Sequence, residues 1–176
     1  MTAKTLMTTD IVTVKPTASV AEVLMIMCEK RVHNIPVVDD EGDFIGLFSL
    51  RRVTHALLPK AARLTQDHPL MDITFMPDDP DEMLERMLDL GRKPVSELLE
   101  KKRKLRFCKP DTPIPELIKL LYDNPTSLPV LVVKGQHQHL EGMVSNWDVL
   151  TKIAVKLLAG QQQSQDSTVT DASKED

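Results

Sequence analysis

Residues 10–53 read DIVTVKPTASVAEVLMIMCEKRVHNIPVVDDEGDFIGLFSLRRV, and residues 104–149 read KLRFCKPDTPIPELIKLLYDNPTSLPVLVVKGQHQHLEGMVSNWDV. Both stretches begin with a short extended segment that ends in Lys-Pro, and an amphipathic helix follows. Both continue with a strand that contains Pro-Val, a polar turn, a strand that runs from Gly to Ser, and another helix. Because the same order of elements occurs twice, the chain is predicted to have an α/β (α+β) fold made of two β-α-β-β-α halves.

The first helix of each copy is predicted from apolar residues that recur every three to four positions. They are Val20, Val23, Leu24 and Met27 in the first copy, and Ile114, Leu117, Ile118 and Leu121 in the second. Ser19 and Glu22 have the spacing of a capping box, in which each side chain satisfies a free backbone N–H of the first turn. Pro113 and Pro115 suit the first turn of the other helix, because no backbone donor is needed there.

The chain divides into four predicted regions. Residues 1–58 form the first copy, residues 59–92 a helical insert, residues 93–159 the second copy, and residues 160–176 a polar tail expected to be disordered. The insert contains a helix that is predicted to end at Gly91. Its predicted apolar face consists of Met83, Leu84, Met87 and Leu88.

Composition narrows the class of protein. The net charge is -4, which argues against nonspecific binding to nucleic acid. The N-terminus has no apolar signal region, and no apolar run approaches the length of a membrane span. Cys28 and Cys108 are too few for a disulfide framework, so they are interpreted as reduced core thiols. These features predict a cytoplasmic protein without a membrane segment.

The two copies resemble CBS domains, the tandem regulatory domains named after cystathionine β-synthase. The matching features are the lead-ins at residues 6–8 (Leu-Met-Thr) and 98–100 (Leu-Leu-Glu), the Pro-Val strands, and the closing pattern Gly-x-x-Ser-x-x-Asp. The resemblance implies two halves related by pseudo-twofold symmetry, with a cleft that binds AMP, ADP, ATP or S-adenosylmethionine. It also implies a homodimer. The insert is longer than the usual linker of such pairs.

The resemblance implies that an Asp at the start of the last helix accepts hydrogen bonds from ribose hydroxyls. The second copy has this residue, as Ser145-Asn-Trp-Asp148, and a carboxylate is a strong charge-assisted acceptor. In the first copy, Ser49-Leu-Arg-Arg52 has Arg at that position, and guanidinium has no acceptor. One good nucleotide site per chain is therefore expected. Ser145 is a further candidate, either for phosphate contact or as a helix cap.

Phosphate binding is expected from the loop before the first copy's Pro-Val strand, where Arg31 and His33 stand. Their alternative role is only to end a helix, where cations favour the dipole. An adenine slot needs apolar walls. The residues at the matching positions are Cys108, Leu128, Pro129 and Val144, which could equally be ordinary core.

Other candidate sites are weaker. His137 and His139 could bind a metal, but they stand in a predicted turn with one nearby acid, so no metal site is expected. The basic run from Lys101 to Arg106 is interpreted as solvated, and its alternative role is to assist phosphate binding. No nucleophile elbow, P-loop, zinc-protease or Rossmann motif occurs, so the chain is not expected to be an enzyme and needs no cofactor. Trp147, beside Asp148, is expected to pack against the protein rather than to take part in catalysis.

The predicted function is that of a regulatory module that senses an adenine nucleotide or S-adenosylmethionine and acts on an unidentified protein. The alternative is a scaffold whose cleft stays empty and whose surface recruits partners.

Overall fold

The computed structural model of the chain describes residues 1–58, 79–124, 128–155 and 158. The predicted disordered tail and residues 59–78 of the predicted insert lie outside these residues. Within the described ranges, none of the helices combines the length and hydropathy required of a membrane span.

Two compact units are built from interleaved parts of the chain. The Asp148 unit comprises Met1–Asp10, Arg106–Val133 and Glu141–Asp176, and the Ser49 unit comprises Ile11–Leu105 and Lys134–Leu140. Each unit therefore contains most of one sequence copy together with the lead-in that precedes the other copy. The four sequence-order regions remain a prediction about where domains begin and end.

The Asp148 unit contains a short helix, a sheet and two longer helices. Helix α1 spans Ala3–Leu6, and the sheet has the strand order β3 (Arg106–Cys108), β4 (Val130–Lys134), β5 (His139–Val144). Strands β3 and β4 are parallel. Helix α5 spans Ile114–Tyr122, and helix α6 spans residues 146–155. Leu117 and Leu121 of α5 join the core with Val130, Val132 and Val144, as the sequence predicts, whereas Ile118 is exposed.

The Ser49 unit has the corresponding elements and one extra helix. Helix α2 spans Val20–Lys30, strands β1 (Asn34–Val38) and β2 (Phe44–Ser49) form an antiparallel pair, and helix α3 spans Leu50–Leu57. The expected lead-in strand is reduced to one parallel bridge between Val14 and Val37. The predicted capping box of Ser19 and Glu22 is present, and the predicted stripe is buried through Val20, Val23 and Met27.

The extra helix, α4, spans Pro80–Arg92 and packs against α2 and α3. Its predicted apolar face is wrong, because Leu84, Met87 and Leu88 are 55%, 49% and 53% exposed while Leu90 is buried. The predicted end at Gly91 is also wrong, since the helix includes Gly91 and closes at Lys93, which Pro94 restricts to an extended conformation. An added Cβ on Gly91 would lie 3.5 Å from Ala21 Cβ of α2. A methyl group at Gly91 would thus be in ordinary van der Waals contact with α2.

Two further predictions about burial are corrected. Cys28 is exposed rather than in the core, because it follows Met27 by one residue and so points away from the buried stripe of α2. Trp147, expected to pack against the protein, is exposed on the first turn of α6. Cys108 is buried, as predicted.

Gly46 within β2 and Gly142 within β5 face the lead-ins at short range. A Cβ on Gly142 would lie 2.8 Å from the carbonyl oxygen of Thr8, and a Cβ on Gly46 would lie 2.5 Å from Leu99 Cδ1. Thr8 pairs with Met143 through two backbone hydrogen bonds of 2.9 and 3.1 Å, and Leu99 forms a bridge with Phe48. The repeated glycine thus leaves room for each lead-in where it pairs with the strand.

Candidate functional site

In the Asp148 unit, the Asp148 carboxylate accepts three hydrogen bonds. Thr8 Oγ1 donates to Oδ1 at 2.9 Å. Ser145 donates twice to Oδ2, from its backbone N–H at 2.7 Å and from Oγ at 2.5 Å. A carboxylate has about four lone-pair positions, so one acceptor position stays available to a ligand. These contacts hold the partly buried carboxylate in one orientation.

Local sequence explains how Asp148 and Ser145 come together. Ser145 Oγ accepts from the Asp148 N–H at 3.3 Å, and Asp148 returns the contact to the Ser145 N–H. This reciprocal arrangement is that of a capping box at the start of α6, with Asp in the place that Glu or Gln usually takes. Ser145 therefore caps the helix, which was one of its two predicted roles.

The sequence did not single out Thr8 as a site residue. The Thr8 backbone is paired with Met143 of β5, and this pairing places its hydroxyl beside Asp148. The two residues are 140 positions apart in the chain. The signal that could have found it is the repeated lead-in, because Thr8 and Glu100 end the two matching tripeptides.

The predicted adenine wall is buried in the same unit. Cys108, Leu128, Pro129 and Val144 are all buried, which agrees with their alternative role as core. Asn124 Nδ2 donates to the Leu128 carbonyl at 2.8 Å and so fixes the backbone just before β4. Burial raises the pKa of the Cys108 thiol to about 11, an effect that a hydrogen bond with Thr112 partly opposes. The thiol is therefore neutral near pH 7.

The Ser49 unit places its carboxylate differently. Ser49 Oγ donates to Oε1 of Glu100 at 2.5 Å, and Glu100 comes from the lead-in rather than from a helix. Oε2 of Glu100 lies 3.9 Å from Arg51 Nη1 and has no hydrogen-bond partner in the described part of the chain. Arg52, at the position that matches Asp148, offers only its backbone N–H, which donates to Ser49 Oγ at 3.2 Å.

The basic run 101–104 follows Glu100 directly. Lys101, Lys102 and Arg103 are exposed, as predicted. Lys104 is partly buried, and its pKa is lowered by that burial and by the nearby Arg51 guanidinium, although Glu100 opposes the shift.

Arg31 and His33 belong to the Ser49 unit and are both exposed. Arg31 closes α2 in the left-handed conformation, with φ 53° and ψ 41°, and its N–H donates to the Met27 carbonyl. Its predicted alternative role at the helix end is thus present. His33 precedes β1, and its carbonyl accepts from the Leu50 N–H at 2.9 Å.

His137 lies in the turn between β4 and β5, as predicted, whereas His139 is the first residue of β5 and has a structural partner. His139 Nδ1 lies 3.4 Å from Asp43 Oδ1, and the two residues form a bridge. Across residues 1–58, 79–124 and 128–155, no three His, Cys, Asp or Glu side chains gather as a metal ion would require.

Several solved structures share this fold. A Vibrio cholerae protein described as an acetoin utilization protein (AcuB) is 17% identical, with a TM-score of 0.66 over 93% of this chain and 96% of its own. The CBS-pair protein CBSX2 from Arabidopsis thaliana is 22% identical, with a TM-score of 0.60 over 90% and 96%. The CBS domain pair of protein MJ0100 is 16% identical, with a TM-score of 0.59 over 89% and 98%. At these identities the likeness shows the fold.

The sequence itself matches the family model described as CBS domain twice, over residues 3–59 and 95–155. These two matches coincide with the two copies of the repeat, and the longer spacing between them holds the insert. The chain therefore belongs to the CBS domain family and carries the domain as a tandem pair.

Proposed function

We propose that this protein is a regulatory module that binds an adenosine-containing ligand and catalyses no reaction. The observation that carries the proposal is the Asp148 carboxylate, which Thr8 and Ser145 hold in place with an acceptor position left over. A ribose offers two hydroxyl donors, and a preoriented carboxylate is a strong acceptor for them.

Related structures support the choice of ligand class. CBSX2 has been crystallised with AMP, and the MJ0100 pair with 5-methylthioadenosine and S-adenosyl-L-methionine. The group common to these three ligands is adenosine, since methylthioadenosine carries no phosphate. A ribose acceptor such as Asp148 suits all of them, so AMP, ATP and S-adenosylmethionine all remain candidates here. Cys108, Leu128, Pro129 and Val144 are the proposed apolar surface for adenine.

We expect one dominant site per chain. In the Ser49 unit, the serine that matches Ser145 is already bonded to the buried Glu100, and Arg52 brings no acceptor. Arg31 and His33 remain the proposed phosphate ligands, on the strength of the family resemblance and of their exposed side chains. A homodimer, a cytoplasmic location and an unidentified regulated protein complete the proposal.

Calorimetric titration of adenosine and AMP into wild type and Asp148→Ala tests the proposal. Losing a hydrogen bond to a charged group costs about 1.5–3 kcal/mol, so both ligands should bind roughly tenfold to a hundredfold more weakly. Asp111→Ala removes an exposed carboxylate from the same unit and should leave binding unchanged.

Asp148→Asn separates ligand binding from helix capping, because the amide oxygen can replace Oδ2 as the acceptor for Ser145. The amide NH2 then replaces Oδ1, so it can donate to Thr8 Oγ1 but offers no acceptor to a ribose. This variant should melt near the wild-type temperature yet bind adenosine more weakly. If wild type binds no adenosine compound, the scaffold alternative replaces this proposal. If Asp148→Ala binds as wild type does, Asp148 is not the ribose acceptor.

A further inference from the structure

A cavity of about 460 Å³ lies within the Ser49 unit, between α3 and α4. Helix α3 contributes Arg52 and His55, helix α4 contributes Arg86 and Asp89, and Lys93 follows directly after α4. Both helices belong to one compact unit, and α4 is the helix of the insert. The basic groups in the wall outnumber the acidic ones.

The acidic residues of the wall already have cationic neighbours. Asp89 lies 3.8 Å from Arg92, and Glu97 lies 3.8 Å from Lys93. Arg52 differs from these residues, because its guanidinium has no hydrogen bond or ion pair to another residue of the described chain. Its positive charge is therefore not neutralised within the wall.

Two guanidinium nitrogens in this wall are buried donors without acceptors. They are Nε of Arg52 and Nε of Arg86, neither of which has a hydrogen-bond partner among the described residues. Arg86 uses its other nitrogens, since Nη1 donates to Glu82 at 2.8 Å and Nη2 contacts the Met83 sulfur at 3.7 Å. Buried donors without partners are rare and costly in proteins, so a bound acceptor would remove that cost.

We propose that this cavity binds a phosphate group, either free or carried by a small metabolite. Two guanidinium groups approach from different helices, and arginine forks match the oxygens of phosphate. The tetrahedral oxygens of phosphate can serve both forks at once, whereas the two coplanar oxygens of a carboxylate suit a single fork. Arg52 would thus bind phosphate at the position where the other copy has Asp148.

Inorganic phosphate and pyrophosphate are the probes for this site, with potassium chloride at matched ionic strength as the salt control. The backbone amide signals of residues 51–56 and 83–93 should shift on titration into the wild-type protein, and calorimetry should give one site per chain. Arg52→Gln and Arg86→Gln should each weaken the Kd roughly tenfold or more. Lys102→Gln makes the same charge change on an exposed residue outside the wall and should bind as wild type does.

Failure would take a definite form. The proposal is overturned if phosphate and pyrophosphate shift no signals in these two segments, or if both Arg variants bind as wild type does. The amide shifts use the unmodified protein, so a variant that fails to fold does not leave the question open. Adenosine, which lacks phosphate, reports on Asp148 alone, so failure here is distinguishable from failure of the adenosine proposal.

Discussion

Ser49 Oγ donates a hydrogen bond of 2.5 Å to Glu100 Oε1, and the two residues are only 1% and 4% exposed. In the other unit, Ser145 Oγ donates over the same distance to Asp148 Oδ2. A serine–carboxylate pair therefore stands at the end of β2 in the Ser49 unit and directly after β5 in the Asp148 unit. The carboxylate comes from the following helix in one unit and from the lead-in in the other, where it is buried.

Glu100→Ala should lower the free energy of unfolding by about 1–3 kcal/mol, because it leaves the buried Ser49 hydroxyl without its acceptor. Glu100→Gln keeps an oxygen acceptor for Ser49, so its free energy of unfolding should fall by less. Glu97→Ala is the control, since that side chain is 55% exposed and pairs with Lys93 at 3.8 Å. An exposed pair contributes about 0–1 kcal/mol. Denaturant unfolding measures all three variants, and equal stability of Glu100→Ala and wild type would contradict a stabilising role for the pair.

Three glycine-to-alanine variants should change the stability of the protein in different directions. Gly142→Ala should destabilise by about 1–3 kcal/mol, because its Cβ would meet the Thr8 carbonyl oxygen at 2.8 Å. Gly46→Ala should cost less, since the nearest atom is the end of the Leu99 side chain, which can move. Gly91→Ala has room on a helix and should stabilise by about 0.5–1 kcal/mol. Thermal melts rank the three variants, and a destabilised Gly91→Ala would show that α4 packs closer to α2 than described.

Iodoacetamide at pH 8 should label one thiol per native chain. Cys28 is exposed, whereas burial raises the pKa of Cys108 to about 11 and so keeps it protonated. Cys28→Ser should remain unlabelled until it is unfolded. Equal labelling rates for the two cysteines would refute this difference in environment.

The same raised pKa of Cys108 has a consequence for stability. Between the ordinary pKa of 9.0 and the folded value of about 11, the unfolded chain has lost the thiol proton while the folded chain retains it. Stability contributed by the neutral thiol should therefore fall as pH rises through this range. A Cys108→Ser variant should lose less stability between these pH values, which thermal melts of both proteins at each pH would measure.

Arg31→Ala should weaken the binding of AMP and leave adenosine nearly unchanged, because only phosphate interacts with the missing charge. The effect should shrink as salt rises. Alanine meets the same left-handed strain as arginine at φ 53°, so this change isolates the charge. Arg31→Gly should instead raise stability by up to about 1 kcal/mol. His33→Ala should act in the same direction as Arg31→Ala, and an equal loss for adenosine would refute the phosphate role.

The protein should be a homodimer, and light scattering should give twice the chain mass of 19.8 kDa. Apolar side chains on α6 are unusually exposed for a monomer, among them Trp147 at 75% and Leu150 at 56%. Replacing Leu150 and Ile153 together by Lys should shift the mass toward the monomer. A monomeric wild type at micromolar concentration would contradict this prediction.

Features that depend on neighbours along the chain could be predicted from the residues alone. The repeated pattern of residues predicted the tandem pair of domains. The spacing of Val20, Val23 and Met27 predicted the buried face of α2. Capping at Ser19 was equally readable, because it joins residues three positions apart. The contrast between Asp148 and Arg52 was visible for the same reason, since each residue lies three positions after the serine that caps its helix.

The folded arrangement was needed to show which of several possible helix faces is buried and which distant residues are in contact. Helix α4 has apolar residues on more than one side, so its inward face depends on its packing against α2 and α3. Thr8 reaches Asp148 and Glu100 reaches Ser49 because each lead-in pairs with a strand from a remote part of the chain. Such contacts depend on three-dimensional proximity, which helical periodicity and local capping signals do not encode.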